Sequence, residues 1–360
     1  MSLELLLDAA EFWPRAAADI AAARDCVFAQ ALTFEGDAAG WALTGALREC
    51  PARDRRMLVD SFSRYVISDR LVHAPWNLLD RGLRREVRST AEMTAALHAA
   101  GVGVRVTNPV GPLLVRFPRR NHKKLVLVDD RVAYIGGINF GEHNFSWRDL
   151  MLRIEDPAAV RFLKEDFLAT WAGRPRGASR CFGPLELHSF DGAGNRRRFR
   201  RILDLIDGAQ RRLYVECAYI TSPFLERFRE ASRRGVAVTI VTPGQNNWKL
   251  VQRRMAWLAA TSDVEVRLFQ GRMTHMKAML IDDAMLMVGS ANFDMWSYHF
   301  QEELAGLTTD PAVVADFRER VMAEGLRSSV PCGGGSSLLG GRLAGWQLRS
   351  LERLALLVSG

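Results

Sequence analysis

The pattern HxKxxxxD occurs twice in this 360-residue chain, at His122, Lys124 and Asp129 and again at His275, Lys277 and Asp282. The two copies stay in register beyond the aspartate. Gly136 and Gly289 follow at the same offset, then Asn139 and Asn292, then Phe140 and Phe293, with apolar Ile135 and Val288 before the glycines. One such pattern would be a weak signal, because lysine and aspartate are common near strand ends. Two in register point to a duplicated unit whose halves each supply part of one site.

These residues work together only on a strand. Side chains two positions apart on a strand share a face, so His122 with Lys124, and His275 with Lys277, address one ligand. On a helix the same pairs would diverge by about 200°. The apolar runs Leu125 to Val128 and Ala278 to Ile281 fit a buried strand in each copy. Two such strands facing each other suit phosphodiester chemistry. One neutral imidazole attacks phosphorus, the opposite imidazolium protonates the leaving alcohol, and the roles reverse in the second step. Lys124, Lys277 and the amides Asn139 and Asn292 would surround the phosphate oxygens with donors. The scheme calls for no metal and no cofactor.

Each imidazole also needs an acceptor on its other nitrogen. Asp149 stands downstream of His122, and Glu303, with Glu302 beside it, stands at a similar distance downstream of His275. Asp129 and Asp282 complete the candidate catalytic set, but near the ends of their strands they suit anchoring of the following turn.

Composition narrows the partners. Lysine and arginine number 49 against 41 acidic residues, a formal charge of +8. That excess favours polyanions, either phospholipid headgroups or nucleic acid. The five scattered cysteines suggest neither a disulfide framework nor a zinc site. No stretch offers the ~20 uncharged apolar residues that a membrane span needs. Glu4 and Asp8 occupy the place where a secretory signal would be basic. The expectation is a cytoplasmic protein that meets membrane from the side.

Helix-like and strand-like stretches alternate in both halves, the pattern of an α/β fold. The first half predicts helices over 14–24, 38–49, 84–99 and 157–172, and strands over 26–34, 56–62, 102–107, 123–129, 131–138 and 149–155. The second repeats the order, with helices over 195–206, 223–234, 247–260 and 311–325 and strands over 212–220, 236–242, 264–269, 276–282, 285–288 and 303–308. Gly173, Pro175 and Gly177 mark a linker. The chain divides into an N-terminal domain, 1–175, a C-terminal domain, 176–330, and a tail, 331–360. Because the motifs fall on equivalent strands, a pseudo-twofold interface would bring both into one cleft.

The tail begins with GGGSS at 333–337, a flexible linker. Beyond it Leu339, Leu343, Trp346, Leu351, Leu354 and Val358 recur at helical spacing, with Arg342, Arg349, Glu352 and Arg353 mostly elsewhere. Such an amphipathic helix either lies in a membrane interface or packs on the protein or a second copy.

These motifs resemble the phospholipase D superfamily and, within it, the bacterial cardiolipin synthases. RNHKKLVLVDDRVAYIGGINFGEHN with WRDLMLRIEDPAAV is similar to the first motif region of that group. HMKAMLIDDAMLMVGSANFDMWSYHFQEEL is similar to the second, including Asp294 and Ser297, and the likeness covers most of residues 10–325. The resemblance implies two similar α/β sandwich domains with the active site between them. It implies a metal-independent phosphatidyltransferase with His122 as nucleophile and His275 as acid. Lys124, Asn139, Lys277 and Asn292 would hold the phosphate, Asp149 and Glu303 would brace the histidines, and Ser297 would lie at the substrate. The implied reaction joins two phosphatidylglycerols, or a close headgroup variant, into cardiolipin and releases glycerol.

The chain looks like the shorter members without N-terminal membrane spans. A peripheral enzyme on the inner face of the cell membrane follows, with anionic phospholipid and not nucleic acid as partner. Residues 62–82 and the stretch GQNNWKLV at 244–251 depart from the family pattern, where an acceptor alcohol would be selected. Two other activities share the same residues: hydrolysis to phosphatidic acid, and nuclease or other phosphodiesterase action. Against the nuclease stands the lack of a stripe of aromatics interleaved with arginines.

Overall fold

The computed structural model describes residues 1–111, 115–333 and 338–359. Seven strands of the first half form one mixed sheet in the order Ser2–Leu7, Leu150–Glu155, Val132–Gly136, Leu125–Val128, Cys26–Ala31, Asp54–Asp60, Gly103–Thr107. The second half builds a nine-stranded sheet in the order Ala178–Phe182, Leu185–Asp191, Glu302–Thr308, Met285–Gly289, Lys277–Ile281, Arg212–Cys217, Ala237–Pro243, Glu265–Phe269, Ser329–Pro331. Without its two outermost strands, the second sheet matches the first strand for strand. In both, the motif strand runs antiparallel to its neighbour, which in turn pairs in parallel with the next. The chain is thus a duplicated α/β fold, as the repeated motif led us to expect.

Alternation of side chains sends each strand into two cores. Leu125 and Leu127 face one core while Val126 and Val128 face another; in the second sheet Ala278 and Leu280 face the first core, Met279 and Ile281 a third. The common core lies between the sheets, where Ile135 and Leu152 of the first meet Val288 and Leu304 of the second. Helices Pro157–Trp171 and Pro311–Asp316 add Phe162, Phe167 and Val313 to it. The outer faces are covered by helices that bury Phe12, Leu43 and Leu97 on the first sheet and Ile202, Phe228 and Leu258 on the second. Covering both faces explains why the motif strands are apolar throughout, and each such leucine or isoleucine contributes about 1.5–3 kcal/mol.

Local signals set the helix starts. Asp156 before Pro157 and Asp310 before Pro311 begin equivalent helices, each carboxylate accepting backbone N–H groups of the first turn. Some predicted boundaries move. The helix predicted from residue 14 begins at Asp8, and the one predicted over 195–206 breaks at Phe199. The helix over 311–325 is interrupted by a π-helical segment, Phe317–Met322. Ser2–Leu7, Ala178–Phe182, Leu185–Asp191, Ser329–Pro331 and the short hairpin of Val66–Ile67 with Arg70–Leu71 lie outside the predicted elements.

Of the predicted GGGSS linker, only Gly333 falls within the described residues. The tail beyond is a helix, Leu338–Ser359, lying against helix Lys249–Thr261. The side chain of Val358, expected on its apolar stripe, is outside the described residues.

Candidate active site

The two halves cross just before each motif. Asn121 bridges Glu302, and Arg148 bridges Thr274. The His122 N–H donates to the Glu302 carbonyl at 2.9 Å, and the His275 N–H to the Arg148 carbonyl at 2.8 Å. This exchange sets each imidazole beside the acid of the other half. His122 Nδ1 lies 3.1 Å from Glu303 Oε2, and His275 Nδ1 lies 2.7 Å from Asp149 Oδ2. The sequence suggested bracing by the downstream acid of the same half. The pairing is instead crossed, because the strand carrying each acid starts level with the opposite histidine.

Both imidazoles line one pocket of about 350 Å³. With each Nδ1 engaged by a carboxylate, Nε2 is the free nitrogen of each ring. Lys124 Nζ donates to the His122 carbonyl at 2.7 Å and Lys277 Nζ to the His275 carbonyl at 2.5 Å, so each ammonium is held at the backbone of its own motif, and neither lysine is among the residues that line the pocket. Asn139 and Asn292 line it together with the imidazoles. The Asn139 Oδ1 accepts the Leu32 N–H at 3.2 Å, which leaves its amide nitrogen for a ligand.

Other expected site residues stand behind this front. Asp149 and Glu303 touch histidines and are not part of the pocket wall. Ser297, expected at the substrate, is fully buried and donates to Glu303 Oε1 at 2.7 Å. Asp129 and Asp282, grouped with the catalytic residues by the motif, lie outside the pocket. Asp129 accepts the backbone N–H groups of Arg24, Asp25 and Cys26, and Asp282 those of Gln210, Arg211 and Arg212. Each thereby ties the loop before the neighbouring strand to the end of the motif strand, rather than its own turn.

One mismatch between the copies makes the site asymmetric. Where the first has Gly137, the second has Ser290, whose hydroxyl donates to Glu303 Oε2 at 2.5 Å. A Cβ at Gly137 would stand 2.1 Å from Asp149 Oδ1, so the first copy has no room for a side chain there. Glu303 therefore receives two hydroxyls, while Asp149 receives the Leu150 N–H at 2.8 Å. Burial pushes the Glu303 carboxyl up, but His122, Lys124 and the Ser290 hydroxyl outweigh it and hold it below its ordinary value. Burial pushes Asp149 up to about 7 against the pull of Lys277.

The imidazoles follow. Burial lowers His122 to about 4, with Glu303 opposing, and burial with the charges of Lys277 and Lys124 lowers His275 well below its ordinary value. Burial also lowers Lys124 to about 7. Glu303 is thus held as an anion beside His122, whereas Asp149, beside His275, takes a proton more readily than an ordinary carboxyl.

Among the pocket residues, Phe117, Pro118 and Tyr219 had no signal in the sequence. Tyr219 and Trp147 flank the His275 ring, with centroids 6.3 and 5.1 Å away. Phe62, Phe117, Pro118, Trp248 and Trp296 give the pocket an apolar wall. His143 lines the pocket and pairs with the buried Glu35 at 3.3 Å. The two stretches that depart from the family pattern meet across the pocket. Asn247 Nδ2 donates to Asp69 Oδ2 at 3.3 Å, and the Tyr219 hydroxyl donates to Asn247 Oδ1 at 2.7 Å. Tyr298 packs with Phe199 and Phe224, whereas Trp76 and Leu79 are exposed.

A duplicated sheet, with paired histidine–lysine strands and exchanged acids at one pocket, is the architecture of a two-motif phospholipase D-like protein. The chain belongs to that family: the model described as "Cardiolipin synthase, PLD-like domain" matches residues 44–171 and 202–323. It is 26% identical over 321 residues to cardiolipin synthase B of Salmonella typhi, covering 81% of this chain and 72% of that protein. It is 24% identical over 358 residues to the major cardiolipin synthase ClsA of Bacillus subtilis (strain 168), covering 89% and 69%. Among solved structures, a phosphatidylserine synthase of Haemophilus influenzae Rd KW20 superposes with a TM-score of 0.70 at 14% identity, covering 99% of this chain and 94% of that one. At that identity the likeness concerns the fold.

Proposed function

We propose that this protein is a phosphatidyltransferase that joins two phosphatidylglycerols into cardiolipin and releases glycerol. The observation that carries this reading is the pair of histidines at one pocket, each with Nδ1 on a carboxylate of the opposite half. His122 Nε2 attacks phosphorus and the bond to the glycerol headgroup breaks. A proton on His275 Nε2 goes to the departing alkoxide, with Asp149 at Nδ1 stabilising the ring. The hydroxyl of a second phosphatidylglycerol then gives its proton to His275 and attacks phosphorus, and the phosphorus–nitrogen bond breaks to restore His122. The asymmetry of the two acids supports this direction: Ser290 and Ser297 hold Glu303 as the anion beside the nucleophile His122, whereas burial favours a proton on Asp149 beside His275. Lys124, Lys277, Asn139 and Asn292 hold the phosphate oxygens as charge moves.

The apolar wall of Phe62, Phe117, Trp248 and Trp296 suits the glycerol backbone and acyl chains of a lipid. The enzyme would act peripherally at the inner face of the cell membrane on anionic phospholipid, with no nucleic-acid partner. Relatives named as cardiolipin synthases support the choice of product.

The test incubates the protein with labelled phosphatidylglycerol in mixed micelles and resolves the products. Cardiolipin with free glycerol is the expected result. Phosphatidic acid instead means that water is the acceptor, and cleavage of a nucleic-acid diester without lipid turnover overturns the lipid reading. His122→Ala and His275→Ala each reduce turnover by about 10²–10⁴ or more. Survival of full activity in either variant refutes the shared-site mechanism.

A further inference from the structure

The C-terminal helix is built the wrong way round for a helix that merely closes a core. Toward the protein it presents Gly341, Ala344, Gly345, Leu348 and Ala355, all buried. Gly341 comes so close to helix Lys249–Thr261 that a Cβ there would stand 2.2 Å from Trp257 Cβ. The larger apolar side chains of the predicted stripe point out: Leu339 is 78% exposed and Trp346 61% exposed, with Leu343 and Leu354 also exposed. Leu357, one turn beyond Leu354, is 83% exposed. These residues follow helical spacing and fall opposite the buried face, so they form one continuous outer stripe. Arg342, Arg349 and Arg353 are exposed along one flank of it.

The inner face is firmly seated near the pocket. Glu352 lies 2.9 Å from His299 Nε2, and His299 ends the short helix whose Trp296 lines the pocket. Trp248, another pocket residue, immediately precedes the helix on which the tail rests.

We infer that the outer face of helix Leu338–Ser359 is the surface by which this protein lies on an anionic phospholipid bilayer, beside the opening of its own pocket. The choice of occupant rests on the lipid-substrate reading above. The chemistry of this face favours it. No helix among the described residues is long and apolar enough to cross a membrane, so contact of this one with a bilayer is in the plane of the interface rather than across it. Leucines and a tryptophan enter the headgroup boundary while the flanking arginines meet phosphates. The alternative occupant, a second copy meeting the same face, would set three arginines against three with the neighbouring Glu352 already spent on His299.

The test uses the full chain, with vesicles of phosphatidylglycerol and phosphatidylcholine compared with phosphatidylcholine alone. Wild-type protein co-sediments with the anionic vesicles, and binding falls as salt rises. The triple variant Leu343→Gln/Trp346→Gln/Leu354→Gln keeps the wild-type circular dichroism melt, because these side chains touch solvent, and its vesicle partition drops by about hundredfold. Unchanged partition overturns the inference. So does a wild-type dimer that the triple variant dissolves without any change in vesicle binding. Stripe-dependent vesicle binding without phosphatidyl transfer would sink the proposed activity and leave this surface standing. Transfer from short-chain phosphatidylglycerol with stripe-independent binding would do the reverse.

Discussion

Replacing Ser290 by alanine removes one of two hydroxyls that hold the Glu303 carboxylate, the one at 2.5 Å from Oε2. The Ser297 bond at 2.7 Å and the His122 contact remain, so the fold around the acid is kept. A hydrogen bond to a charged group contributes about 1.5–3 kcal/mol. One pKa unit corresponds to about 1.4 kcal/mol, so the His122–Glu303 pair should take up its first proton about 1–2 pH units higher. The sign is fixed. Glu303 sits below its ordinary value because donors favour its anion, and losing a donor moves it up. With His122 at about 4 in the native protein, the acid limb of kcat/KM lies well below neutrality. In Ser290→Ala it moves toward neutrality, lowering kcat/KM at pH 5 by about 2- to 10-fold while the value at pH 7.5 changes little. The assay is transfer from short-chain phosphatidylglycerol across pH 4 to 9. Ser297→Ala should move the same limb in the same direction. An acid limb unmoved in both variants would refute the link between these hydroxyls and the proton state of His122.

Breaking the buried pair of Lys123 with Asp166, whose atoms lie 2.8 Å apart, should be costly: Lys123→Met lowers the unfolding free energy by about 3–5 kcal/mol in urea titrations, and adding Asp166→Leu recovers much of it. Asp129→Ala removes three backbone acceptor contacts and lowers stability at pH 7 by about 1–3 kcal/mol, with turnover per folded molecule unchanged. Burial pushes Asp129 up, but those N–H groups and Arg131 outweigh it and hold the carboxyl below its ordinary 3.8. The stability it contributes is therefore present above that value, and the gap between wild type and variant, followed by thermal melts, should close as the pH falls below about 4.

The duplicated fold and the front of the site were legible in sequence because they depend on short-range pattern. Continuous apolar runs marked the central strands, and the spacing of His122 with Lys124 and His275 with Lys277 required a shared strand face. What escaped depends on contacts between segments far apart in the chain. Nothing local to His122 says that Glu303, rather than Asp149, will stand behind it, since that follows from how two strand ends exchange partners. Ser297 looked like a ligand because it trails the motif, yet the turn capped by Asp294 aims its hydroxyl inward at Glu303. The strand Ala178–Phe182 was invisible because, largely exposed at a sheet edge, it carries no alternation of apolar and polar residues. The tail helix was recognised by its periodicity, but periodicity cannot tell which side meets the protein. The small residues Gly341, Ala344 and Gly345 held that information.

The exchange of acids also bears on how such a chain can be cut, copied or inherited. Severed between Gly173 and Gly177, each fragment would carry an imidazole whose carboxylate had gone with the other, so neither piece would be a lesser enzyme; both would be inert until they docked face to face. Drift in either tandem unit disables a histidine in its sibling, which binds the two lineages to a common fate. A single ancestral unit would have met the same demand by clasping its twin.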